Sequence, residues 1–111
     1  MGFLSPEALA AMGFRSLGRD VRLSDKASVH GAARISLGDR CRVDDFAVLS
    51  AGVGGIALGA HVHVAVFASL MGAARIELRD FAGISSRVAI YSSNDDYLGG
   101  AMTNPTVPSE V

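Results

Sequence analysis

The 111-residue chain has no tryptophan, one cysteine and three prolines, and aromatic side chains make up only 6% of it. A single cysteine, Cys41, excludes an internal disulfide. A lone thiol on an inward-facing position fits a reducing compartment, so a cytoplasmic location is expected. Charge of neither sign predominates: ten Lys and Arg against eleven Asp and Glu leave a net −1. That balance gives no electrostatic footprint for nucleic acid. No apolar run is long enough to span a bilayer, so no membrane insertion is expected. The N-terminus lacks a basic stretch ahead of an apolar one and makes a poor signal peptide. Pro6 stands where myristoylation needs Ser or Thr. Pro105 blocks glycosylation at Asn104. What is present, with half the residues hydrophobic, fits one compact domain of common size.

The chain repeats itself. Ser16-Leu17-Gly18-Arg19-Asp20-Val21 returns as Ser36-Leu37-Gly38-Asp39-Arg40-Cys41, then as Ala57-Leu58-Gly59-Ala60-His61-Val62. A degraded copy, Glu77-Leu78-Arg79-Asp80-Phe81-Ala82, follows. Successive leucines are 20, 21 and 20 residues apart. A fixed period near this length is the signature of a solenoid. Within each period an aliphatic residue returns every six positions. The series are Leu17, Leu23, Val29; Leu37, Val43, Leu49; Leu58, Val64, Leu70; and Leu78, Ile84, Ile90. Four residues after each comes a second small or apolar side chain. These are Val21, Ala27, Ala33, Cys41, Ala47, Val53, Val62, Ala68, Ala74, Ala82 and Val88. Short insertions separate the coils: Ile35-Ser36, Gly55-Ile56-Ala57 and Ile76-Glu77.

A six-residue spacing drifts off any single face of an α-helix. On a strand, alternation lets the first and fifth residues of each hexad face inward together. Three short strands and three corners then make one triangular coil. Coils stack by parallel pairing at roughly 4.8 Å per layer. The expected architecture is therefore an all-β triangular solenoid of about four coils over residues 15–91. Gly18, Gly38 and Gly59 fit corners with positive φ or close backbone approach. A capping helix is expected in residues 1–14: Ser5 caps it, Pro6 fits its first turn and Gly13 ends it. Residues 92–111 read as an irregular arm with Gly99-Gly100, Pro105 and Pro108.

The hexads resemble those of the hexapeptide-repeat acyltransferases, whose fold is a left-handed parallel β-helix. Residues 1–28, the phrase Val43-Asp44-Asp45-Phe46, and Ile90-Tyr91-Ser92-Ser93-Asn94-Asp95-Asp96-Tyr97 through Met102-Thr103-Asn104-Pro105 resemble the sugar O-/N-acetyltransferase branch. The resemblance covers the whole chain. It implies left-handed coiling, a homotrimer, acetyl-CoA as donor, and a sugar or nucleotide-linked amino sugar bound between subunits. Family members resume the hexads after the arm, so the chain resembles the front portion of such an enzyme.

Many members place a catalytic histidine where this chain has Asp95, preceded by Asn94. Members acting on amino sugars carry a similar Asn-Asp pair. Acyl transfer needs a nucleophile against a thioester carbonyl, a group to take its proton, and donors for the oxyanion. A carboxylate is a weak base for a hydroxyl but suits a sugar ammonium, holding it and receiving its proton. Asp95 therefore points to an amine acceptor, with Asn94 orienting it or donating to the oxyanion. Imidazole is the better base for a hydroxyl, and His63 on the third coil is the candidate. The bland alternatives are a polar turn for Asn94-Asp95-Asp96 and a surface position for His63. His30 and His61 read as surface residues, and Arg34 and Arg75 as solvated cations. Phe46, Phe67 and Phe81 are placed to pack between subunits. Two other functions fit less of the pattern. One is a zinc enzyme like the β-helical carbonic anhydrases, using His30, His61 and His63. The other is a non-catalytic oligomeric module.

Overall fold

The computed structural model describes residues 2–92. Twelve short strands form three parallel four-stranded sheets. The first holds β1 (Ser16–Leu17), β4 (Ile35–Leu37), β7 (Ile56–Leu58) and β10 (Ile76–Leu78). The second holds β2 (Arg22–Leu23), β5 (Arg42–Val43), β8 (His63–Val64) and β11 (Gly83–Ile84). The third holds β3 (Ser28–His30), β6 (Val48–Ala51), β9 (Ser69–Gly72) and β12 (Ala89–Ser92). Each strand pairs in parallel with its counterpart one coil on. Leu17, Leu37, Leu58 and Leu78 therefore stand in one register. The all-β parallel solenoid of about four coils is the architecture that the hexads predict.

The first hexad positions form the core. All twelve are buried except Leu17, Val29 and Ile90, which are half-buried in the first and last coils of the described residues. The second inward series holds at two corners, except at Val88 on the fourth coil, which is exposed, and fails at the third. Val21, Cys41, Ala47, Val62 and Ala68 are buried, but Ala33 is exposed and Val53 is 87% exposed. The interior at that corner belongs instead to Ala51 and to Ile35, Ile56 and Ile76, the residues read as insertions. These three isoleucines open β4, β7 and β10. The cause is a wider turn: the chain swings outward before each new coil, in the first coil as a 3₁₀ turn over Ala32–Arg34. Arg34 is correspondingly no free cation. Its Nε donates to Gly52 O at 2.9 Å and an Nη donates to Ala51 O at 3.0 Å, tying this corner to the coil above.

Positive φ falls on side-chain-bearing residues rather than on the corner glycines. Asp20, Arg40, His61 and Phe81 at the first corner have φ of 56°, 59°, 59° and 67°. Gly18, Gly38 and Gly59 are there for close approach. The Asp39 carboxylate folds back over Gly18 to accept the Arg19 N–H at 2.9 Å. Asp80 folds over Gly59 to accept the Ala60 N–H at 2.8 Å. A Cβ on Gly18 would sit 2.5 Å from Asp39 Oδ1. Arg79 has no such coil above it among the described residues, and a side chain is accommodated there. The Asp39 N–H meets no side chain of this kind, because Ala60 stands where an acceptor would. Ala60→Asn should supply one and raise stability by about 0.5–1.5 kcal/mol. A higher melting temperature is the expected reading, and an unchanged or lower one refutes the cap.

The N-terminal segment closes the first coil. Helix α1 (Pro6–Ala11) starts at Ser5, whose Oγ accepts the Ala8 N–H at 3.1 Å, and Gly13 follows it at φ 81°. Leu9 packs onto the core. Ahead of the helix, Phe3 bridges Ser24 in antiparallel fashion. The Leu4 N–H donates to Leu23 O and the Asp25 N–H to Gly2 O, both at 2.9 Å.

Candidate functional site

Alternation decides what the second sheet shows to solvent. Leu23, Val43, Val64 and Ile84 point inward, so Arg22, Arg42, His63 and Gly83 point outward in one register. Asp44, two residues past Arg42, also points outward. Its Oδ2 lies 2.8 Å from Nε2 of His63 on the next coil. Its Oδ1 accepts from Nε of Arg42 at 2.8 Å. The Arg42 guanidinium also lies 5.6 Å from the centre of the Phe3 ring. The carboxylate is the shielded member, with its side chain 15% exposed against 51% for His63. On the fourth coil Gly83 leaves the space beside His63 open: a Cβ there would meet only the His63 carbonyl, at 4.0 Å.

Burial pushes the Asp44 carboxyl upward, but the hydrogen bonds and positive charge of His63 and Arg42 outweigh it. The group is held below the ordinary carboxylate range. A lowered folded-state value means that the unfolded chain takes up the proton first as pH falls. Asp44 therefore stabilises the fold above the ordinary carboxylate range, and this contribution is lost as pH falls through its own lowered value. Melting curves from about pH 5 to about pH 2 should show a shallower acid loss in Asp44→Asn than in the parent. Parallel curves would refute the ion pair.

The sequence reading placed His63 here but missed Asp44. The signal was present. A period of 21 sets His63 over Arg42, and alternation then turns Asp44 to the same side. Asn94 and Asp95 lie outside the described residues. The strand that leads towards them, β12, is in the third sheet, whereas His63 is on the second. His30 is on β3 of the third sheet. His61 stacks on Phe81 at the first corner, with ring centroids 4.8 Å apart. The three histidines do not converge, and no three-ligand metal cluster occurs among the described residues. At the second corner Phe46 and Phe67, about half exposed, stack at 5.3 Å, and the Arg87 guanidinium lies 5.1 Å from the Phe67 ring centre.

No family model matches the chain. Similarity to individual proteins is extensive. The chain is 50% identical over 110 residues to the dTDP-4-amino-4,6-dideoxy-D-glucose acyltransferase of Escherichia coli, covering 99% of this chain and 57% of that protein. It superimposes on AntD, an N-acyltransferase from Bacillus cereus solved with dTDP and 3-hydroxybutyryl-CoA, with a TM-score of 0.78. Identity there is 40%, over 97% of this chain and 56% of AntD. An AntD mutant in complex with dTDP-4-amino-4,6-dideoxyglucose and coenzyme A gives the same TM-score at 39% identity. The chain is a homologue of these acyltransferases. It spans just over half their length, as the resemblance to a front portion implies. The homologues favour neither the zinc enzyme nor the inert module.

Proposed function

We propose that the protein transfers an acyl group from an acyl-CoA to the amine of a dTDP-linked amino sugar. The observation that carries this is the 50% identity, over 110 residues, to an enzyme named for that acceptor. In the reaction the amine nitrogen attacks the thioester carbonyl. The new N–C bond forms, the C–S bond breaks, the nitrogen gives up a proton and the CoA thiolate takes one. Asp95 is the proposed acceptor of the ammonium proton, with Asn94 orienting the sugar or donating to the oxyanion. His63 is a second proposed base, because imidazole is the side chain type suited to taking a proton from an acceptor near neutral pH. Acetyl-CoA is the donor that the family resemblance implies. The 3-hydroxybutyryl-CoA bound by AntD makes a four-carbon acyl group the competing donor.

A homotrimer with the acceptor between subunits is part of the same proposal. The second sheet carries His63 and the third leads to Asn94. A neighbouring subunit would let two such faces share one ligand. The stacked Phe46 and Phe67 offer apolar area for that contact.

The test is turnover. Purified protein is mixed with dTDP-4-amino-4,6-dideoxyglucose and either donor, and free CoA thiol and product mass are followed. Thiol release that requires the amino sugar, with an amide in the product, is expected. Release that proceeds equally with a dTDP-sugar lacking the amine points to O-acylation. No turnover with either donor, together with no thermal shift at millimolar CoA, overturns the transferase reading and leaves the non-catalytic module.

A further inference from the structure

We propose, resting on the role given to His63 above, that Asp44 is a positioning residue that sets which nitrogen of His63 meets the acceptor. A carboxylate only accepts hydrogen bonds. The contact of 2.8 Å between Asp44 Oδ2 and His63 Nε2 therefore places the hydrogen on Nε2. In the neutral ring Nδ1 then keeps its lone pair. Nδ1 has no protein partner among the described residues, and the side chain is 51% exposed. Gly83 stands in register with it on the fourth coil, and the space a side chain would fill there is open among the described residues, so an acceptor can approach. Arg42 holds the carboxylate from the other side through Oδ1 at 2.8 Å, so Asp44 cannot rotate without losing a charged partner. The three residues span two coils in strict parallel register, with Arg42 directly beneath His63.

This arrangement makes a counter-intuitive prediction for Asp44→Asn. Arg42 donates only, so it takes the amide oxygen of the substituted side chain. The amide NH₂ is left facing Nε2, which must become an acceptor. The hydrogen moves to Nδ1, and the base loses its free lone pair. Asp44→Ala removes the contact without forcing this exchange.

The experiment uses the full chain with ¹⁵N-labelled histidine. Ring-nitrogen correlations are recorded above the ordinary imidazole range, alongside turnover with the amino-sugar acceptor. In the parent and in Asp44→Ala the Nε2–H form is expected. In Asp44→Asn the Nδ1–H form replaces it, kcat falls about 10²-fold and KM stays within about threefold. Adding Arg42→Ala to Asp44→Asn frees the amide to turn its oxygen to His63. The Nε2–H form and most of kcat should return. An unchanged tautomer in Asp44→Asn overturns the proposal. So does a switched tautomer with kcat intact, which removes His63 from proton transfer while leaving the transferase reading standing. A parent protein without turnover fails that reading, and this one with it.

Discussion

Leu49→Ala should cost the protein about 2–5 kcal/mol, the range for a leucine deleted from a packed core. Leu49 is fully buried on the second coil, in register with Val29 below and Leu70 above. A solenoid layer buries its interior only against its neighbours, so a void there weakens both adjoining interfaces. For a domain of this size each kcal/mol shifts the melting temperature by about 4–8 °C, so a drop of about 10 °C or more is expected. Leu17→Ala is the internal control. Leu17 is half-buried in the first coil and should cost clearly less. A neutral Leu49→Ala, or equal losses at the two sites, would refute a core built from stacked hexads.

Asp95→Ala should lower acyl transfer by about 10²–10⁴-fold, the usual contribution of a positioned acid or base. The amine of the acceptor is protonated in water and has to shed a proton to attack. A carboxylate beside it both binds the cation and takes that proton, so KM is expected to rise as kcat falls. The melting temperature of the variant, read beside its turnover, separates a loss of chemistry from a loss of fold. His63→Gln divides the chemistry. If His63 alone carries the proton, that variant shows the large loss and Asp95→Ala does not. Full activity in Asp95→Ala would remove this residue from the proposed mechanism.

Much of the fold was legible because one period governs it. Leu37, Val43 and Leu49 are six apart in the sequence and line the interior in space, a spacing that an α-helix cannot keep on one face. The third corner was misread for a physical reason. A frame of strict sixes puts Val53 inside and Ile56 in an insertion, yet the wider turn reverses them, to 87% and 2% exposure. Composition does not report turn width: alanine and valine serve equally well on a tip or in a core. The corner glycines were legible as residues but not as a mechanism, since the carboxylates that need them, Asp39 and Asp80, come from the following coil. Of the candidate site, His63 was visible as a residue type on a face. Its partner Asp44 needed the inter-coil register as well, because a contact across 19 residues has no local signature.

The segment ahead of α1 has a bearing on how copies of this molecule meet one another. Strands β2, β5, β8 and β11 form a ladder with β2 as its first rung, and an unpaired strand edge recruits further strands. At its lower rung the Gly2 carbonyl and the Leu4 N–H already occupy backbone groups of Asp25 and Leu23, running the wrong way for parallel continuation. Head-to-tail stacking into filaments is thereby blocked at one end of the column. Deleting the first four residues would strip that seal, and the shortened protein should become prone to fibrous, concentration-dependent self-association.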